Sequence, residues 1–227
     1  MIALIAAMPV EQETITARMT NVEVSSEAGS TFYKGRLADE DVVVVLAGVG
    51  KVNAAVASTL VCERFDPDAL ISIGVAGGLK QEQEVGDLVL SSAAIQADFD
   101  TSFIDGPEGL GLRFEADAAM IERAKKAAEK AGVRYSTGVV ATQDLFMAHE
   151  DDYARLMSRF EDCACSEMEG GAIAQVATRF KLPFLVIRTL SDVVVHDDNP
   201  VEFTSFAASS AKKAAEFLEI FCTGENA

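Results

Sequence analysis

The sequence predicts an α/β protein, a largely buried sheet between helices, in one domain over residues 1–227. Three observations carry that prediction. Short apolar runs rich in β-branched residues alternate with longer amphipathic runs along the chain. Apolar residues make up 49% and charged residues 24%, the balance of a globular domain long enough to bury a core. No linker, repeat or low-complexity segment interrupts the alternation.

The elements follow in order. "IALIAAM" (2–8) and "VVVVLAG" (42–48) read as strands closed by turn chemistry. "KVNAAVASTLVCERF" (51–65) reads as a helix, with Val52, Val56, Leu60 and Phe65 near one face. "ALISIG" (69–74) and "GDLVLSSAAI" (86–95) are strands. The stretch 96–114 is the least regular, long enough to be functional or to serve an interface. "ADAAMIERAKKAAEKAG" (116–132) is a helix that Gly132 closes. "TGVVAT" (137–142) is a strand and "HEDDYARLMSRF" (149–160) a helix. "EMEGGAIAQVATRFK" (167–181) reads as a helix despite its glycines, "FLVIRTL" (184–190) as a strand and "EFTSFAASSAKKAAEFLEIF" (202–221) as the last helix.

Charge and cysteine content narrow the function. A formal net charge of −17 repels polyanions, which argues against a nucleic-acid binder but leaves room for a single nucleoside in a pocket. The four cysteines (Cys62, Cys163, Cys165, Cys222) form no CxxC, and His149 and His196 are the only histidines, so no metal site is expected. The start "MIALIAAMPVEQE" has no basic leader region, and no stretch approaches a membrane span. The expectation is a soluble cytoplasmic protein with reduced thiols and no membrane partner.

Ligands of open α/β sheets bind outside the carboxyl ends of the strands. Those ends read "MPVEQE" (8–13), "GVGK" (48–51), "GVAGG" (74–78), "TQDLFM" (142–147), "SEMEGG" (166–171) and "SDV" (191–193). They collect acids, glycines and an aromatic. "GVGK" lacks the earlier glycine of a phosphate loop and has Val52 where that loop has Ser or Thr. "GVAGG" is not GxGxxG, and neither GxSxG nor HExxH occurs. Glu167 and Glu169 would suit the start of a helix, whose dipole favours acids there. Phe146 and Phe203 are by default core aromatics, and a ligand platform is their rarer use.

Five of these stretches, "AAMPVEQE", "AGVGKVNAA", "IGVAGGL", "SEMEGGAIAQV" and "RTLSDV", resemble in order the 5′-methylthioadenosine/S-adenosylhomocysteine nucleosidases of the purine nucleoside phosphorylase-like superfamily. The resemblance runs from Met1 to the last helix. It implies a three-layer α/β/α fold around a twisted mixed sheet, and hydrolysis of the bond between adenine N9 and ribose C1′ in methionine salvage, without cofactor. By the same resemblance Asp192 is the general acid with Ser191 orienting it, and Glu11 handles the attacking water. Asp192 must then hold its proton well above the ordinary carboxylate value of about 3.9. Glu169 would bind the ribose hydroxyls and Met168 lie beneath the sugar. Phe146 would stack on adenine, the Met147 backbone read its edge, and Ala76 and Gly77 approach the nucleoside. Met8, Val49 and Phe203 would line the 5′-alkylthio subsite.

Arg188 corresponds to an arginine near the water, with a salt bridge behind the strand as its ordinary alternative. Glu167 would simply favour the helix start. Val75 stands where many relatives carry Ser or Thr, removing a hydroxyl, and Ala97 replaces a more usual histidine. The segment from Phe99 to Phe103 would reach the neighbouring subunit of a homodimer near the 5′ subsite. The alternatives are a phosphate-dependent phosphorylase, a non-catalytic nucleoside sensor, and a hydrolase of 5′-deoxyadenosine or aminodeoxyfutalosine. The phosphorylase is disfavoured because no arginine occurs in "AAMPVEQE" or "ISIGVAGG".

Overall fold

The computed structural model describes residues 1–147, 149–195 and 199–224, with the side chains of Glu150 and of residues 199–205 outside that description. The elements are β1 (Ile2–Ala6), α1 (Pro9–Thr16), β2 (Thr20–Glu27), β3 (Ser30–Leu37), β4 (Glu40–Leu46), α2 (Lys51–Phe65), β5 (Ala69–Gly78), β6 (Leu88–Asp100), α3 (Ser102–Asp105), β7 (Leu110–Glu115), α4 (Ala118–Ala131), β8 (Tyr135–Thr142), α5 (Glu150–Arg159), β9 (Cys163–Glu167), α6 (Gly170–Phe180), β10 (Phe184–Val193) and α7 (Asn199–Phe221).

Period-two burial builds the layers. On β1, Ala3 and Ile5 enter one core cluster while Ile2, Leu4 and Ala6 enter another; on β4, Val43 and Val45 part from Val42 and Val44 in the same way. Both strand faces are therefore apolar, as a sheet covered on two sides requires. Ala54, Ala57 and Val61 of α2 and Ile173 and Ala177 of α6 cover one face. Ile15 of α1, Ala124 and Ala128 of α4, and Phe217 and Leu218 of α7 cover the other. This is the expected three-layer α/β/α arrangement around a mixed sheet.

The strand pairing makes a pocket at one end of that sheet. β5 pairs with β1 and β10 in parallel and with β9 antiparallel, and β6 joins β10 to β8, which pairs with β9. Strands β5, β10, β6, β8 and β9 thus close into a ring. The closure is short: Gly77 faces Ser166 and Gly78 faces Cys165. In the β5–β10 ladder Asp192 faces Gly77, after a register shift between Leu190 and Asp192. Such a bulge re-aims the side chains that follow it.

Several local expectations are corrected. α2 has the predicted limits, but it buries Ala54, Ala57, Ser58, Val61 and Cys62, while Val52 and Val56 are exposed. Small side chains pack α2 closely on alanine-rich α6, so side-chain size rather than hydrophobicity selects its inner face. The helix expected from residue 167 starts at Gly170, because Glu167 still belongs to β9. The irregular stretch 96–114 holds the end of β6, α3 and β7. The hairpin of β2 and β3 was not expected; its strands mix polar and apolar residues, and its turn uses positive φ at Ala28 and Gly29.

Candidate active site

A cavity of about 380 Å³ opens at the carboxyl ends of these strands. Met8 and Glu11 come from the start of α1, Val49 from the loop after β4, and Val75, Ala76 and Gly77 from β5. Phe146 and Met147 come from the loop after β8, Met168 and Glu169 from the β9–α6 junction, and Ser191 and Asp192 from β10. Eleven of the thirteen residues singled out in the sequence therefore line one cavity. Arg188 lies beneath it, fully buried, and the side chain of Phe203 falls outside the described residues.

Glu11 occupies the third position of α1, after Pro9, and turns back on the helix start. Its Oε2 accepts the amides of Ala7 at 3.0 Å and Met8 at 2.9 Å, and its Oε1 accepts that of Val75 at 3.0 Å. Val75 thus contributes its backbone to this carboxylate, a contact that the absent hydroxyl does not affect. A Cβ at Gly74 would stand 2.5 Å from Glu11 Oε1 and 3.2 Å from Arg188 Nη1, so glycine is what lets the carboxylate and guanidinium approach the strand. Burial raises the Glu11 pKa, against the opposing pull of the Arg188 charge and the three amides.

Glu167 is more than a helix-start acid. Its Oε2 accepts the amides of Glu169 at 2.9 Å and Gly170 at 2.7 Å, which supplies the first donors of α6 with an acceptor. It also accepts the Thr142 hydroxyl and forms a buried ion pair with Arg188. Arg188 Nη2 further donates to Ser72 Oγ at 2.9 Å and stands 3.7 Å from Glu169 Oε2. The sequence offered Arg188 two places; it forms the buried salt bridge with Glu167, and its charge also acts on Glu11 from beneath the cavity. Glu169 itself accepts the Gly50 amide at 2.8 Å. Burial, reinforced by the Glu167 charge, pushes its pKa up to about 7, against Arg188 and the Gly50 amide.

Asp192 is buried and accepts the Ser191 hydroxyl at 2.7 Å on Oδ1. A Cβ on Gly77 would stand 3.0 Å from Asp192 Oδ2. The bulge and that glycine together bring the carboxyl group to the wall of the cavity. Phe146 is half-exposed at 45%, a ring with an open face rather than a core aromatic, while Met147 is buried. Sequence reasoning missed Glu167 as a structural charge and Ser166, Leu145 and Val194 as lining. For Glu167 a signal existed: an acid at a buried strand end, with an arginine on another strand that also ends at the site. Ala97 is buried in a separate apolar cluster. Among the described residues no group of His, Cys, Asp or Glu is placed to hold a metal ion.

This arrangement can give up a proton at one wall and take one at another, with acidic oxygens around a cation forming between them. A profile described as the phosphorylase superfamily matches residues 1–223. A 5′-methylthioadenosine/S-adenosylhomocysteine nucleosidase of Geobacillus kaustophilus is 39% identical over 221 residues, covering 95% of this chain and 94% of that protein. The nucleosidase of the same description from Neisseria meningitidis, solved with methylthio-immucillin-A, superposes with a TM-score of 0.92 at 32% identity, over 97% of both chains. A futalosine hydrolase of Helicobacter pylori superposes with a TM-score of 0.89 at 27% identity, over 97% of this chain and 96% of its own.

Proposed function

We infer that this chain, which belongs to the 5′-methylthioadenosine/S-adenosylhomocysteine nucleosidase family of the phosphorylase superfamily, hydrolyses the N-glycosidic bond of those two nucleosides. The products are adenine and S-methylthioribose or S-ribosylhomocysteine. The observation that carries this reading is the meeting of Glu11, Glu169 and Asp192, far apart in sequence, on one cavity with the half-exposed Phe146 ring.

In this reading the C1′–N9 bond breaks and its electron pair moves into the purine, which Asp192 protonates at N7. Water attacks C1′ and passes a proton to Glu11. Charge builds as an oxocarbenium ion on the sugar, so surrounding carboxylates favour the transition state over the neutral nucleoside. Glu169 accepts the ribose hydroxyls, Phe146 stacks on adenine, and Met8 and Val49 meet the 5′-alkylthio group. No lysine or arginine lines the cavity among the described residues, and Glu11 would repel phosphate, which weighs against phosphorolysis.

The same reading treats the chain as one domain acting as a homodimer, with Phe99–Phe103 completing the partner's 5′ subsite. Phe103 and Ile104 are exposed, as are Val52 and Val56 of α2, and the Lys51–Asp98 ion pair joins the two segments. Methionine salvage in the cytoplasm is the setting that fits the reaction and four buried, unpaired cysteines. No helix among the described residues is long and apolar enough to cross a membrane.

The test is adenine release from 5′-methylthioadenosine, S-adenosylhomocysteine, 5′-deoxyadenosine and aminodeoxyfutalosine, with and without phosphate. Release from the first two in phosphate-free buffer is expected. A requirement for phosphate would replace hydrolysis by phosphorolysis, and tight binding without release would make the protein a sensor.

A further inference from the structure

We propose that Asp144 is a positioning residue that fastens the loop carrying Phe146 to the first turn of α2, so that the base and sugar subsites are set together. The inference rests on the nucleosidase reading and adds to it a residue that touches neither half of the substrate. Four hydrogen bonds support it. Asp144 Oδ1 accepts the Lys51 amide at 2.8 Å. The Asp144 amide donates to Asp98 Oδ2 at 3.0 Å, and Lys51 Nζ donates to Asp98 Oδ1 at 2.6 Å. One residue earlier, just before α2, the Gly50 amide donates to Glu169 Oε1 at 2.8 Å.

The first three bonds close a ring through the loop after β8, the end of β6 and the first turn of α2. Its neighbours in sequence are the working groups. Leu145, Phe146 and Met147 follow Asp144 and line the cavity. Gly50 precedes Lys51 and holds Glu169. The amides of Gly50 and of Lys51, the first residue of α2, thus go to two carboxylates, one in the site and one in the adjoining loop. Gly50 has φ of 98°, a conformation open to glycine but rarely adopted by residues with a side chain, and this path aims its amide at Glu169. Asp144 Oδ1 lies 3.1 Å from where a Gly50 Cβ would be, which places the clasp directly against this residue. An acceptor on a helix N-terminus suits the dipole, and losing one costs a helix about 1 kcal/mol. A cap with only that role would lower the melting temperature and nothing else.

The clasp acts on Glu169 through the Gly50 amide, which favours the ionised carboxylate. Glu169 is also faced by Glu167 from β9, Arg188 from β10 and Glu11 from α1, and none of these changes in the test. Asp144→Ala in the whole protein is expected to raise KM for 5′-methylthioadenosine about tenfold, with kcat changed much less. The acidic limb of kcat/KM should move to higher pH. In Asp144→Asn the amide oxygen still accepts from Lys51, and most of the KM should return. Lys51→Met keeps the backbone donor and removes only the Asp98 bridge; it should raise KM in the same direction by a smaller factor. The inference is overturned if Asp144→Ala melts lower but keeps the parent KM and pH limb. It is equally overturned if Asn is as impaired as Ala, or, should Ala fail to fold, if Lys51→Met and Asp144→Asn both keep the parent KM and limb. Absence of adenine release from the parent protein would instead sink the nucleosidase reading, a separate result.

Discussion

The proposed sugar end and the proposed base end of the cavity are built differently. At the sugar end Glu11 accepts three backbone amides, Glu167 accepts two amides, a hydroxyl and a guanidinium, and Glu169 accepts a sixth backbone amide. All three carboxylates and Arg188 are buried. At the base end Leu145 and Phe146 are exposed on a loop, and only Asp192 and Ser191 sit on a buried strand. The contrast follows the chemistry. Positive charge develops on the ribose, and oxygens fixed before the reaction need not reorganise when it forms. The base must enter and leave, and an open ring on a loop suits that exchange.

Breaking the comparison at its chemically decisive point should have the largest effect. Asp192→Asn removes the group proposed as proton donor of the base end while keeping the shape. A loss of kcat of about a thousandfold is expected, with a transition-state-like inhibitor still bound in a direct titration. Turnover near the parent value would mean that the acid lies elsewhere and that the base end only stacks.

Stability should separate the two ends next. Arg188→Met leaves Glu167 and Glu169 without their buried cation, and breaking such a pair costs about 3–5 kcal/mol. Phe146→Ala removes a half-exposed ring and should change stability by less than about 1 kcal/mol. Urea unfolding of both variants measures the difference. Equal losses would show that the loop is as much a part of the framework as the ion pair.

How far the sequence revealed this division depends on how each feature is encoded. The layers were legible because β1 and β4 are short β-branched runs and α4 has a strong periodicity with its glycine stop. The site residues were legible as strand ends. The hairpin of β2 and β3 was not, because solvated strands of mixed polarity lack a period, and β9 was hidden because "CACSE" is short and leads straight into a helical pattern. Arg188 could be placed only by knowing which acid it meets. That acid, Glu167, reads locally as a helix-start residue, and a contact between residues 21 apart on two strands of a closed ring has no local signature. The clasp at Asp144 was invisible for the same reason.

The finest test concerns Glu169, where the two ends share one charge. Its folded-state pKa of about 7 lies above its ordinary value of 4.5, with burial as the main cause. A raised carboxylate favours the folded state below its unfolded value, and that contribution fades as pH rises through the folded value. Between pH 4.5 and about 7 the native protein therefore holds a proton that the unfolded chain has released. Glu169→Gln, which cannot ionise, should gain in melting temperature relative to the parent as pH rises across this window. Ligand affinity should move the opposite way. Ribose hydroxyls donate best to an ionised acceptor, so the parent should bind a nucleoside analogue more tightly as pH rises through about 7, while Glu169→Gln binds weakly with a flatter profile. If both profiles keep their shape in Glu169→Gln, the titrating group is another of the buried acids. Glu11, raised by burial on the same cavity, is then the next to examine, by Glu11→Gln in the same two titrations.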